Sequence, residues 1–147
     1  MRVVILGCGR VGARLANSLD TEGHRVAIVD RNPDSFRRFL RSDFGGRAVV
    51  GIGIDEDVLR RAGIEDADVF VAATNLDNVN AMASQIAQHV FKVPKVVARM
   101  YDPVREEVYQ TLGLTTVCPT TIGAERIKEM LDARWDGDAP PAVRSGG

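Results

Sequence analysis

The run Val3-Val4-Ile5-Leu6-Gly7-Cys8-Gly9-Arg10-Val11-Gly12 narrows the fold more than any other stretch of this chain. Consecutive apolar residues make a strand covered on both faces, and glycine then recurs with the spacing of a tight strand-to-helix turn. Gly7 permits the turn, Gly9 leaves bare main chain open to close approach, and Gly12 lets the helix lie against the sheet. The first amides of that helix have no partner inside it, and the helix dipole adds positive potential behind them, so the turn suits a phosphate-bearing anion. A second strand over residues 25–29 runs into Asp30, about 20 positions further on, where a carboxylate can accept both hydroxyls of a ribose. A glycine-rich turn that closes a βαβ unit and binds nothing shares the glycine spacing. The strand, helix and acid together favour nucleotide binding.

With 147 residues the chain fits one domain with a sizeable core. A formal charge of −1 provides no basic field for nucleic acid or anionic lipid, so no nucleic-acid partner is expected. No apolar stretch approaches the roughly 18 residues of a membrane span, so no direct membrane insertion is expected. The first residues read as a strand rather than a signal peptide, which points to the cytoplasm. Cys8 and Cys118 make neither a disulfide framework nor a metal-ligand spacing. Cys8 is either a small filler of the turn or an oxidisable thiol.

The remaining elements alternate regularly. A helix over about residues 10–19 ends near Gly23, and Asn32-Pro33 caps a helix through Phe36, Phe39 and Leu40. Gly45-Gly46 precedes a short strand at 48–50, and Asp55 caps a helix carrying Val58 and Leu59 that Gly63 ends. A fourth strand at 68–73 leads to a helix over roughly 77–91, with Pro94 beyond it. Residues 95–100 read as strand five, Asp102-Pro103 opens a helix through Val104, Val108 and Leu112, and 115–118 reads as strand six. This pattern is α/β: a Rossmann-like, doubly wound, parallel six-stranded sheet in the order 3-2-1-4-5-6, with the ligand at the switch point beside strands one and four. Ile122, Ile127, Met130, Leu131 and Trp135 then form an apolar stripe at helical spacing. That last helix either folds back on its own sheet or crosses to another subunit. Residues 136–147 are expected to be a disordered tail.

The side chains at the carboxyl edge bear on ligand choice. Asp30 suits a free 2′,3′-diol, favouring NAD, ADP or ATP over NADP, whereas Arg31 is either a solvated neighbour or an acceptor of a 2′-phosphate. Arg10 can lie across the phosphates or remain a surface side chain. Thr74 and Asn75 end strand four, where ligand contact and helix capping both fit. Arg99, set among apolar residues of strand five, needs a partner, either an acid such as Asp102 or the ligand. His24 and His89 have no partner at catalytic spacing, no Tyr-x-x-x-Lys arrangement occurs, and no second domain remains to hold a substrate, so no enzyme is expected. The alternatives are a small NAD(P)-dependent oxidoreductase or a redox-sensing regulator.

Taken together, these residues resemble the N-lobe of the RCK domain, also called TrkA-N. The resemblance spans residues 1–135. Its more specific parts are Arg10 within the glycine turn, the segment Val50-Gly51-Ile52-Gly53-Ile54-Asp55 with the helix to Ile64, the strand ending in Thr74 followed by Asp77, Asn78 and Asn80, Val97-Ala98-Arg99, and Leu112-Gly113. The resemblance implies a regulatory subunit of a potassium channel or transporter, cytoplasmic and peripheral to the inner face of the membrane. It implies NAD(H), ADP or ATP as ligand, contacted by Gly7, Cys8, Gly9, Arg10, Val11, Gly12, Asp30, Arg31, Gly51, Ile52, Thr74, Asn75 and Arg99. It also implies a homodimer paired through the final helix and assembled into a ring. Two positions depart from the family: Gly51-Ile52-Gly53-Ile54 stands where Gly-Asp-Ala-Thr is common, and Thr120 follows Pro119 where many relatives carry an acid. No metal site is therefore carried over. The family's frequent C-terminal lobe has no counterpart in these residues and is expected from a partner.

Overall fold

A computed structural model describes residues 1–133. Trp135 and the 136–147 segment lie outside the described residues. Six strands form one sheet: β1 (Arg2–Leu6), β2 (Arg25–Asp30), β3 (Arg47–Val50), β4 (Val69–Ala72), β5 (Lys95–Arg99) and β6 (Thr116–Val117). Their order is β3-β2-β1-β4-β5-β6, and every pairing is parallel. The expected order and the expected switch point between β1 and β4 are both present.

Local chemistry sets the helix starts. Helix α1 (Arg10–Thr21) begins directly on the glycine turn, with Gly9 as its cap. Helices α2 (Pro33–Phe39), α3 (Glu56–Arg61) and α5 (Pro103–Thr111) open on the side chains of Asn32, Asp55 and Asp102, each accepting the amide two residues on at 2.9–3.0 Å. The helix expected over 77–91 is more varied than its sequence suggests. Helix α4 (Asp77–Gln85) loosens into a π-helical turn (Ile86–Val90), and Lys92 then takes a left-handed conformation before β5.

The sheet divides the core in two. Val3, Ile5, Val26 and Ile28 pack on α1 through Ala13 and Ala16. Val4, Leu6, Val29 and Phe70 face the other way, onto Val58 and Leu59 of α3 and Ala83 of α4. Right-handed crossovers put α1 and α2 on the first face and α3, α4 and α5 on the second. The first face of β4–β6 consequently has no helix of its own from the crossovers.

Two apolar stripes that define helices in the sequence do not enter this core. In α5, Val104, Val108 and Leu112 are 70, 54 and 61% exposed. In α6 (Pro119–Asp132), Ile122, Ile127 and Leu131 are 54, 60 and 76% exposed, and no residue of the helix is buried. Within this single chain, α6 does not bury its stripe against its own sheet.

Candidate functional site

The glycine turn is fixed by what surrounds it. Gly7 has φ +103, and a β-carbon there would stand 2.8 Å from the main chain of Ala73 and Thr74, so the turn nests against the end of β4. A β-carbon on Gly12 would stand 1.8 Å from the Gly7 carbonyl oxygen, so α1 and the turn are in main-chain contact. Gly9 differs from both: nothing lies within 4 Å of its missing β-carbon. Two neighbouring amides are already used, Gly7 N donating to Val29 O at 2.7 Å and Cys8 N to Asp30 Oδ2 at 2.8 Å. Among the described residues, the amides of Gly9, Arg10 and Val11 find no acceptor. The helix start is thus bare, donor-rich and open. This is the arrangement that binds phosphate.

Cys8 fills the turn as an inert side chain. It is 1% exposed, its Sγ lies 3.5 Å from the Ser35 carbonyl oxygen, and burial, reinforced by the Asp30 carboxylate, pushes its thiol up to about 11. A thiol protonated at neutral pH is a poor nucleophile.

Asp30 does more than its place in the fingerprint suggests. Its two oxygens accept from the amides of Cys8 and Asn32, each at 2.8 Å, so the carboxylate braces the turn. Each oxygen retains lone-pair capacity for a ribose hydroxyl. Arg31 and Arg10 are exposed at either side of this acid and the turn.

The loop after β3 completes the cleft. Gly51 N donates to Asp30 O at 3.1 Å, and a β-carbon on Gly53 would stand 2.1 Å from Leu6 Cδ1, so the loop lies across the ends of β1 and β2. Ile52 is 59% exposed there. On the opposite side, Thr74 is tied down. Its amide and hydroxyl lie 3.0 and 2.6 Å from Asn80 Oδ1, and its Oγ1 accepts from Leu76 N at 3.2 Å. Thr74 is thus engaged in the turn before α4, whose cap position is Leu76, while Asn75 is exposed beside it and lines a cavity of about 480 Å³ with Asp77, Tyr101, Arg105 and Thr120.

The structure brings together Gly7, Cys8, Gly9, Arg10, Val11, Gly12, Asp30, Gly51, Ile52 and Thr74 at the carboxyl edges of β1 to β4. Arg99 stands one strand away, at the end of β5. Asp102 is not its partner, because that carboxylate caps α5 and lies 3.9 Å from Arg105. The Arg99 Nε is buried with no acceptor among the described residues, and such a donor is completed by water or by a ligand.

Two further residues of the edge, which the sequence marks only as part of the family resemblance, build it. Asn80, fully buried, donates from Nδ2 to the carbonyls of both Thr74 and Arg99 at 2.9 Å, joining the ends of β4 and β5. Asp77, 4% exposed, accepts from the amides of Tyr101 and Asp102 at 2.6 and 3.0 Å. Their spacing of three at a helix start was the available signal, but it reads equally as an ordinary first turn. From Tyr101 the network continues to α6, where Thr120 Oγ1 donates to Tyr101 O at 2.8 Å.

A larger cavity, about 710 Å³, lies at the opposite edge of the sheet and is lined by Arg2, Arg25 and Arg47. Helix C-termini face that edge, and Arg47 Nη1 donates to the Arg61 carbonyl at 2.9 Å, so this cation answers a helix carbonyl. His24 is at this edge too, 3.7 Å from Glu22 and remote from the cleft.

A parallel sheet with its switch point at a bare helix start and a ribose-competent acid defines a Rossmann-type nucleotide-binding module. Residues 3–120 match the TrkA-N domain model, and the chain belongs to the TrkA-N family. It is 52% identical over 131 residues to the "Trk system potassium uptake protein TrkA" of Streptomyces coelicolor, covering 89% of this chain and 58% of that protein. The chain thus spans somewhat over half the length of that relative. Among solved structures, the Shewanella denitrificans Kef C-terminal domain in AMP-bound form matches with TM-score 0.76 and 24% identity over 90% of this chain and 83% of that one. The GsuK channel bound to NAD matches with TM-score 0.66 and 23% identity over 80% of this chain and 21% of that one. At these identities the two structures establish the fold, and the resemblance to RCK N-lobes is borne out.

Proposed function

We propose that this chain is a regulatory, nucleotide-sensing module of a potassium-transport system. It binds NAD(H), ADP or ATP in the cleft and biases a membrane partner without turning over a substrate. The observation that carries the reading is the open helix start over Gly9, with Asp30 braced beside it. The phosphates sit on the amides of Gly9, Arg10 and Val11, the ribose on Asp30, and the base toward Gly51 and Ile52. Arg10, Arg31, Asn75 and Arg99 supply further polar contacts, with the unmatched Arg99 Nε supporting an anionic or carbonyl acceptor nearby. That a TrkA relative is 52% identical, and that the similar GsuK and Kef domains are described with NAD and AMP, supports both the system and the ligand class.

Residues 1–135 act as the nucleotide-binding lobe. The exposed stripes of α5 and α6 pair it with a second copy and build a ring at the cytoplasmic face of the membrane partner. No described helix is long and apolar enough to cross a membrane, and the proposed partner supplies the membrane-spanning part. Gating follows if the nucleotide prefers one dimer geometry over another. Calorimetric titration of the purified chain with ATP, ADP, NADH and NADPH tests the reading. Saturable binding of at least one of the first three, with NADPH weakest, is expected. Silence with all four, or turnover of a carbonyl substrate with NADH, would overturn it.

A further inference from the structure

The amino edge of the sheet gathers positive charge far from the glycine turn. Arg2 pairs with Arg25 across β1 and β2, and Arg47 pairs with Ala27, two residues beyond Arg25. Side chains in register on neighbouring strands, or two apart on one strand, share a face. All three arginines therefore stand on the side of Val4, Ala27 and Val49, the face that carries α3. They line the cavity of about 710 Å³, and among the described residues its lining holds one carboxylate, Asp20. Arg47 is accounted for by the Arg61 carbonyl. The guanidinium groups of Arg2 and Arg25 make neither a hydrogen bond nor an ion pair among the described residues. Nearby acids are engaged by other donors: Asp20 Oδ2 accepts from Gly45 N at 3.0 Å, Asp68 Oδ2 from the Arg2 amide at 2.7 Å, and Glu22 lies 3.7 Å from His24. Helix carbonyls at this edge are taken as well. Those of Ser18, Leu19 and Asp20 accept the amides of residues 22–24, and those of Val58 and Arg60 accept Ala62 N and Gly63 N.

Like charges directly opposite on neighbouring strands repel, and a strand spacing of about 4.8 Å keeps Arg2 and Arg25 close. An anion between them turns that cost into binding. We propose that this cavity is a second anion site, which takes the phosphate of a small, soluble phosphate monoester. Guanidinium forks match phosphate oxygens two at a time, so Arg2 and Arg25 grip the group while Arg47, steadied by the Arg61 carbonyl, adds the third charge. Three guanidinium groups against the Asp20 carboxylate leave two positive charges, which a monoester dianion neutralises. The cavity has room beyond the phosphate for the body of a small molecule. None of the nucleotide cleft's residues takes part, so this site stands whether or not the glycine turn holds a nucleotide.

The test follows amide chemical shifts of the chain during titration with inorganic phosphate and with glucose 6-phosphate at fixed ionic strength. Saturable shifts are expected at Arg25, Gly46, Arg47 and Gly63, with half-saturation on the order of 1 mM. Arg2→Gln and Arg25→Gln should each weaken binding at least about fivefold. Lys95→Gln, at the same edge on β5 but outside the cavity, should leave the affinity unchanged. All three side chains are exposed. Removing one of two repelling charges spares the fold, so Arg2→Gln and Arg25→Gln should melt no lower than the parent in phosphate-free buffer. Lower melting there would give these arginines a structural role and overturn the site. So would shifts at the four amides that fail to saturate, shifts confined to Gly9, Arg10 and Val11, or equal weakening by Lys95→Gln.

Discussion

Single atoms divide the three glycines of the turn into two kinds. Gly12 is structural: a methyl group there meets an unyielding carbonyl oxygen at 1.8 Å. Gly12→Ala should cost about 3 kcal/mol by overpacking, visible as a large fall in Tm. Gly9 is the opposite, with an ordinary φ of −105 and open space around its missing side chain. Gly9→Ala should stay within about 1 kcal/mol of the parent in stability, yet lose at least tenfold in nucleotide affinity because its methyl group occupies the phosphate approach. Cys8 makes a third residue-scale prediction. The folded thiol sits near 11 against an ordinary 9.0, so the unfolded chain loses its proton first. Stability should therefore fall as pH rises from about 9 to about 11, and chemical denaturation of Cys8→Ala beside the parent should show that slope reduced. The turn's glycines and Asp30 were legible in sequence because their spacing is local. The bracing of the turn by Asp30 was not, since it depends on where β2 ends relative to β1.

The elements show the same division. Helix starts followed from glycines, prolines and caps within a few residues of each boundary, and strand order from the alternation of strands and helices with right-handed crossovers. The π-helical turn after Gln85 did not, because its apolar residues fit an α-helix equally well. Asp77 and Asn80 stand out in the sequence as part of the resemblance, but their role is not legible there for a related reason. Their partners are the main chain at Arg99, Tyr101 and Asp102, some 19 to 25 residues away, and only the folded edge makes these side chains buried. They hold the carboxyl ends of β4 and β5 together and reach α6 through Tyr101. Asn80→Ala leaves the Thr74 amide and two carbonyls unmatched and should destabilise by about 2 kcal/mol, measurable in urea. Asp77→Asn keeps the shape and one acceptor, so a smaller loss, about 1 kcal/mol, is expected.

For the whole molecule, the question is what covers the exposed stripes. α6 was recognisable as an amphipathic helix, but a sequence pattern specifies that a face is apolar, not which surface meets it. Ile127 at 60% exposure contributes little to the single chain. If a second copy packs there, Ile127→Glu should convert dimers to monomers in light scattering while leaving Tm of the isolated fold within a few degrees. A wild type that is monomeric at micromolar concentration would contradict pairing through α6. The nucleotide site is independent of that outcome, since its glycines, Asp30 and free amides all belong to one chain.

Nucleotide sensing as proposed requires the bare amides over Gly9 to hold a phosphate. Amide chemical shifts of the 16.0 kDa chain, followed during titration with ADP, test this at the atoms concerned. The largest saturable shifts are expected at Gly9, Arg10 and Val11, with smaller ones at Asp30 and Ile52. Amides of the turn that stay unmoved at saturating ADP would rule out phosphate binding there.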